Sequence, residues 1–158
     1  MDGDSVKVLL TGPDGEVETL WAIARGNDRY ELDNLPWFAY GVSAGDVVEA
    51  SPDELGMPVF RRIVHKSGNR TVRVMLERAE GTDQMTAESQ RTLDQLRAAG
   101  CDYEGMHRKL FAINVPPAVA LNTVADILIA SGFQWEYADP TYDELHPGSA
   151  GQGGNRDA

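Results

Sequence analysis

One cysteine, Cys101, occurs in 158 residues, so no intramolecular disulfide forms and a cysteine-rich zinc site is excluded. The three histidines, His65, His107 and His146, stand too far apart for the short ligand spacing of a metal motif. No apolar run approaches the roughly 18 residues of a membrane span, and no membrane association is expected. Met1-Asp2-Gly3-Asp4 has neither the basic nor the apolar stretch of a secretory signal, so a cytoplasmic location is expected. Neither standard Gly-rich phosphate loop is present, and no cofactor is implied by any motif. Positive charge is scarce too: 14 Lys and Arg stand against 25 Asp and Glu, a formal net charge of -11. That balance repels phosphates and disfavours nucleic-acid binding. It suits a basic protein partner.

What remains is enough for a core. Hydrophobic residues make up 42% of the chain, and a chain of this size buries about 70% of its unfolded surface. The first 66 residues read as short strands broken by turns. Val6–Thr11 precedes the turn Gly12-Pro13-Asp14-Gly15. Val17, Thr19, Trp21 and Ile23 then alternate with Glu18, Leu20, Ala22 and Ala24. Arg29–Leu32 and Val47–Ala50 follow. This spacing predicts a small N-terminal β-barrel-like subdomain over 1–66.

The period then changes. Thr71–Arg78 alternates as a strand. Met85, Ser89, Leu93, Leu96 and Gly100 recur at helical spacing. Cys101–Met106 and Leu110–Val115 read as strands joined by a turn at His107-Arg108-Lys109. Pro116-Pro117 can open a second helix, whose apolar face includes Val124 and Leu128. Phe133, Trp135 and Tyr137 alternate in a closing strand. The order strand, helix, strand, strand, helix, strand predicts an α+β chain with a ferredoxin-like half over 67–139. Residues 140–158 end in PGSAGQGGNRDA, with four glycines and no large apolar residue. A disordered tail is expected there.

Six of the 14 basic residues lie between Arg61 and Arg78. Ser67-Gly68-Asn69-Arg70 reads as a type II′ hairpin turn joining the flanking strands. In that register Arg62, Lys66 and Arg73 share one face with Thr71, and His65 lies on the other. Arg62, Lys66 and Arg73, with the Ser67 hydroxyl, Asn69 and nearby backbone N–H groups, would form a weak anion site. The alternative is a solvated strand face whose lysine discourages edge-to-edge aggregation.

Residues 32–46, LDNLPWFAYGVSAGD, gather Trp37, Phe38 and Tyr40 into one loop. Such a loop can line a ligand pocket or a partner surface; more often it plugs the end of a barrel. His65 with Asp33 or Asp46 is the acid/base combination to consider, although a histidine among apolar neighbours is more often packed than catalytic. Cys101, just after a helix, is read as a small buried residue rather than a nucleophile.

The stretches LDNLPWFAYGVSAGDVVEA, SGNRTVRV and INVPP together resemble an uncharacterised family of small bacterial proteins, catalogued as a domain of unknown function. The likeness spans Val6 to Tyr137 and implies a stand-alone bacterial domain. It implies no activity and no catalytic residues. The leading functional expectation is therefore a non-enzymatic protein-binding module, an acidic antitoxin or immunity-type protein that occludes a basic partner. A small-molecule or anion sensor using Trp37, Phe38, Tyr40, Arg62 and Arg73, and an enzyme using His65, are the alternatives.

Overall fold

Alternation of period two through the first sixty residues builds a closed barrel. The computed structural model describes residues 4–106 and 109–148. The chain divides into two compact units, the first ending at Asn69 and the second starting at Arg70. The first holds β1 (Ser5–Thr11), β2 (Val17–Gly26), β3 (Arg29–Leu32), β4 (Val47–Pro52) and β5 (Pro58–His65), each bonded to the next. A parallel contact of β5 with β1, Leu9 opposite Val59, closes the ring. Closure leaves no edge strand to pair with another chain.

The barrel core is Val8, Leu10, Leu20, Ala22, Leu32, Val48 and Ala50, joined by Ala39 and Val42 from the 33–46 loop. In β2 the inward set is Glu18, Leu20 and Ala22, while Val17 and Trp21 are 59% and 46% exposed. The Trp21 ring lies instead under the Lys7 ammonium, 5.0 Å from its centroid. Lys7 is its cross-strand neighbour on β1.

The second unit contains β6 (Arg70–Met75), α1 (Ala87–Ala98), β7 (Asp102–Met106), β8 (Leu110–Val115), α2 (Leu121–Ser131), β9 (Trp135–Asp139) and α3 (Tyr142–Leu145). Its strands order as β7-β8-β6-β9, all antiparallel. That is the ferredoxin-like βαββαβ arrangement expected from the element order. Val72, Val74 and Leu76 follow one face of β6 into a core with Leu93 and Leu96 of α1 and Val124 and Leu128 of α2. The Thr86 hydroxyl caps α1 by accepting from the Ser89 N–H. Gly132, at φ 76°, takes the left-handed position that ends α2.

Three expectations are corrected. Residues 67–70 do not close a hairpin. Both edges of β6 are occupied, one by β8 and the other by β9, so β6 has no edge left for β5. Arg62 and Lys66 therefore belong to the barrel unit and Arg73 to the second sheet; they do not share a strand face. The Pro116-Pro117 pair does not open α2, which starts at Leu121 after a turn in which the Val119 N–H donates to the Pro116 carbonyl. Nor does the chain trail off after β9. Following a cis Asp139–Pro140 bond, α3 forms on a capping box between Thr141 and Glu144. The rest of the expected tail, 149–158, and His107 and Arg108 of the expected turn, lie outside the described residues. Among the described residues no helix is long and apolar enough to cross a membrane.

The packing yields a paired prediction. Leu96 is fully buried and Ile129 is 56% exposed. Leu96→Ala should lose about 2–5 kcal/mol in urea unfolding. Ile129→Ala should stay within about 0.5 kcal/mol of the parent.

Candidate functional site

The aromatic loop is anchored from below by a carboxylate. Glu18 points inward from β2 and is only 7% exposed. Its Oε1 accepts the Trp37 N–H at 2.8 Å, and its Oε2 accepts those of Phe38 and Ala39 at 2.9 and 2.8 Å. Three successive backbone donors thus converge on one buried anion, and each such charge-assisted bond is stronger than a neutral one. Leu35, Ala39 and Val42 are buried, whereas Trp37, Phe38 and Tyr40 remain half-buried. Ala39 and Val42 join the barrel core, and the aromatic residues stay partly open. Gly12 lets the loop approach: a Cβ there would sit 3.0 Å from the Phe38 Cβ and 3.2 Å from its carbonyl oxygen. A further tie runs from the Trp21 N–H to the Asn34 Oδ1 at 2.8 Å.

A second buried carboxylate, Asp46, organises the end of the first unit. Its Oδ2 accepts from the Ser43 N–H at 2.8 Å and from the Lys66 ammonium at 2.7 Å. Its Oδ1 accepts from the Ser67 N–H at 2.8 Å. The Ser67 hydroxyl and the Asn69 side-chain amide both donate to the Ala44 carbonyl, at 2.7 and 2.9 Å. Gly45, at φ 83°, supplies the left-handed turn that this requires. Lys66, Ser67 and Asn69, expected to face an anionic ligand, here face the protein's own backbone and Asp46.

The remaining expected residues do not converge. The Arg62 Nε meets the Glu49 Oε1 at 2.6 Å across β4 and β5, with its side chain 60% exposed. Solvent screening limits such a pair to about 0–1 kcal/mol. His65 is exposed at the end of β5, opposite Val47, and Asp33 is exposed as well. Asp46 has no exposure, and its oxygens are turned to Ser43, Lys66 and Ser67. That engagement is the opposite of what a general base needs. Among the described residues no group of three or more His, Cys, Asp and Glu could hold a metal ion.

In the second unit Arg73 is 2% exposed, and its Nε donates to the Glu136 Oε2 at 2.9 Å. The two are cross-strand partners on β6 and β9. A cleft of about 280 Å³ lies beside them, lined by Met75, Leu110, Gln134 and Trp135 among others. The Arg70 guanidinium donates to the carbonyls of Pro116 and Val119, tying the start of β6 to the turn before α2.

Cys101 is 1% exposed within the second core. Burial raises its thiol pKa, the Asp102 charge adds to the rise, and Arg70 partly opposes it. That is the opposite of an activated nucleophile.

Sequence reasoning missed Glu18. The signal was its phase, since Glu18 is in register with Leu20 and Ala22 on a strand whose other face carries Val17 and Trp21. A tryptophan normally outranks a glutamate as the inward residue.

Two tests follow from this geometry. Glu18→Gln turns an amide NH₂ toward a set of N–H donors and leaves at least one of them without an acceptor. It should cost about 1–3 kcal/mol and raise the exposure of Trp37 to quenching. Native Cys101 should react with a thiol reagent at pH 8 far more slowly than the urea-unfolded chain. Because folding raises its pKa, its contribution to stability is complete below the unfolded thiol's pKa and is lost as pH rises through the folded value. A Cys101→Ser variant should flatten that alkaline loss.

Residues 18–136 match the model of a family described as a domain of unknown function, DUF4265. No curated protein matches the sequence. A solved structure of a hypothetical protein from Neisseria gonorrhoeae is similar in fold, with a TM-score of 0.67 at 16% identity. The alignment covers 88% of this chain and 95% of that one. The family match takes in Glu18, the aromatic loop, Asp46 and the Arg73–Glu136 pair, and the chain belongs to the DUF4265 family of domains of unknown function.

Proposed function

We propose that this protein is a cytoplasmic, non-enzymatic binding module that captures a basic protein partner, in the manner of an antitoxin or immunity protein. One observation carries the reading. The cations that would have made an anion site are each held by a carboxylate: Arg62 by Glu49, Lys66 by Asp46 and Arg73 by Glu136. Each of these cations is therefore answered within the protein rather than by an anionic ligand, and the net charge of -11 sets the overall field that a partner meets. An acidic field speeds encounter with a basic protein and rejects acidic competitors. The engagement of Asp46 and the burial of Cys101 also weigh against the enzymatic alternative.

Affinity capture at about 50 mM and 500 mM salt, with the retained proteins identified, is the direct test. The Debye length shortens severalfold over roughly that range. A basic partner should be retained at low salt and associate at least about tenfold more slowly at high salt. Association with a partner that ignores salt would remove the electrostatic basis of the proposal. A thermal-shift panel of nucleotides and phosphorylated metabolites should be flat. A selective rise in melting temperature would instead favour the small-molecule sensor.

A further inference from the structure

We infer that the basic partner docks by strand addition at β7, the outer edge of the second sheet, and that it presents an extended segment with Lys or Arg at alternate positions and uncharged residues between them. This rests on the reading of the protein as a module for a basic partner, and it names the surface. The strand order β7-β8-β6-β9 leaves two edges. At one of them α3 packs back against β9. At the other, β7 pairs with β8 alone among the described strands, in a register from Asp102 opposite Asn114 to Met106 opposite Leu110 that runs without a bulge. A regular edge offers its outward N–H and C=O groups to another chain, and proteins commonly blunt it with lysine, proline or a bulge. β7, Asp102-Tyr103-Glu104-Gly105-Met106, has none of these.

The two faces of β7 differ in charge. Asp102 and Glu104 project to one face, the first exposed and the second half-buried. Across the sheet that face continues with Asn114 and Thr71 in the row of Asp102, and with Ala112, Arg73 and Glu136 in the row of Glu104. Arg73 is the one cation of this face among the described residues, and it stands in the Glu104 row, where Glu136 holds it. The Asp102 row has no cation, and no ion pair among the described residues engages Asp102. Tyr103 projects to the opposite face, where the Arg97 guanidinium lies 4.6 Å from its ring centroid. The Phe111 ring lies over Gly105 on that side: a Cβ on Gly105 would sit 2.9 Å from it.

The charges of the two faces select the occupant. Cross-strand neighbours of opposite charge stabilise a sheet, and like charges oppose it. A strand laid along β7 sets alternate side chains beside Asp102 and Glu104, where a cation is favoured. The intervening ones fall beside Tyr103 and Arg97, where a further cation is repelled. An acidic segment meets carboxylates. A second copy of this chain, paired strand to strand about the middle of β7, sets Glu104 against Glu104. The alternating basic segment satisfies both faces, with backbone hydrogen bonds supplying affinity and the alternate side chains the choice of partner.

The probe is the synthetic peptide acetyl-Lys-Val-Lys-Val-Lys-amide. Its controls are acetyl-Glu-Val-Glu-Val-Glu-amide, the reordered acetyl-Lys-Lys-Val-Val-Lys-amide, and the first peptide with every backbone nitrogen methylated. Titration into the full chain is followed by calorimetry and by amide hydrogen exchange. The alternating basic peptide should bind, slow exchange at alternate amides of β7, and weaken at least about tenfold between about 50 and 500 mM salt. The methylated peptide keeps the charge and loses the donors, and it should not bind; nor should the acidic one. The reordered peptide should bind at least about fivefold more weakly. Asp102→Lys should reduce affinity at least about tenfold. Because Asp102 is exposed, the circular dichroism and melting temperature of this variant should stay near the parent's. Equal binding by the methylated or reordered peptide, equal binding by parent and Asp102→Lys, protection away from β7, or no binding at millimolar peptide would overturn the assignment. A basic protein captured equally by the parent and Asp102→Lys would overturn the edge while leaving the proposed function standing. A partner whose association ignores salt would overturn both.

Discussion

A buried carboxylate that accepts three consecutive backbone N–H groups is the constraint on which the first unit depends. Glu18 holds Trp37, Phe38 and Ala39 at once. The 33–46 loop is long for a connection between neighbouring strands, and its backbone would otherwise lack partners. With the loop held at its middle, Leu35, Ala39 and Val42 are buried, two of them in the barrel core. Burying an anion is costly unless its lone pairs are answered. Here the unanswered donors of the loop and the unanswered oxygens of Glu18 resolve each other.

Asp46 repeats the device at the other end of the same loop. Its oxygens collect Ser43, Lys66 and Ser67, so the residues leaving β5 are tied back to the turn entering β4. Both carboxylates act inside the protein. Several groups that looked chemically available, Lys66, Ser67 and Asn69 among them, are consumed in holding backbone. The same holds in the second unit, where Arg73 meets Glu136 and Arg70 meets carbonyl oxygens.

Much of the fold was legible in the pattern of residues. The barrel strands and the α1 stripe of Ser89, Leu93 and Leu96 lie where period two or period 3.6 places them, and Leu110–Val115 forms the strand read there. The connection at 67–70 was not legible. Ser-Gly-Asn-Arg has the local chemistry of a tight turn, but turn chemistry says nothing about competition for strand edges. β8 and β9 take both edges of β6, and the paired residues are 35 to 68 apart in sequence. The site suffered the same way. Arg62, Lys66 and Arg73 looked like one strip only while the false hairpin put them on one face.

The sequence by itself determined the class of the fold, the two kinds of periodicity, the absence of disulfide chemistry and the acidic field, because each follows from composition or from spacing along the chain. Only the tertiary structure decided which face of β2 turns inward, which carboxylates are buried, and which cations are already engaged. Those outcomes depend on groups far apart in sequence meeting at hydrogen-bond distance. A glutamate in a strand is solvent-facing by default, and three loop N–H groups 19 to 21 residues away reverse that for Glu18.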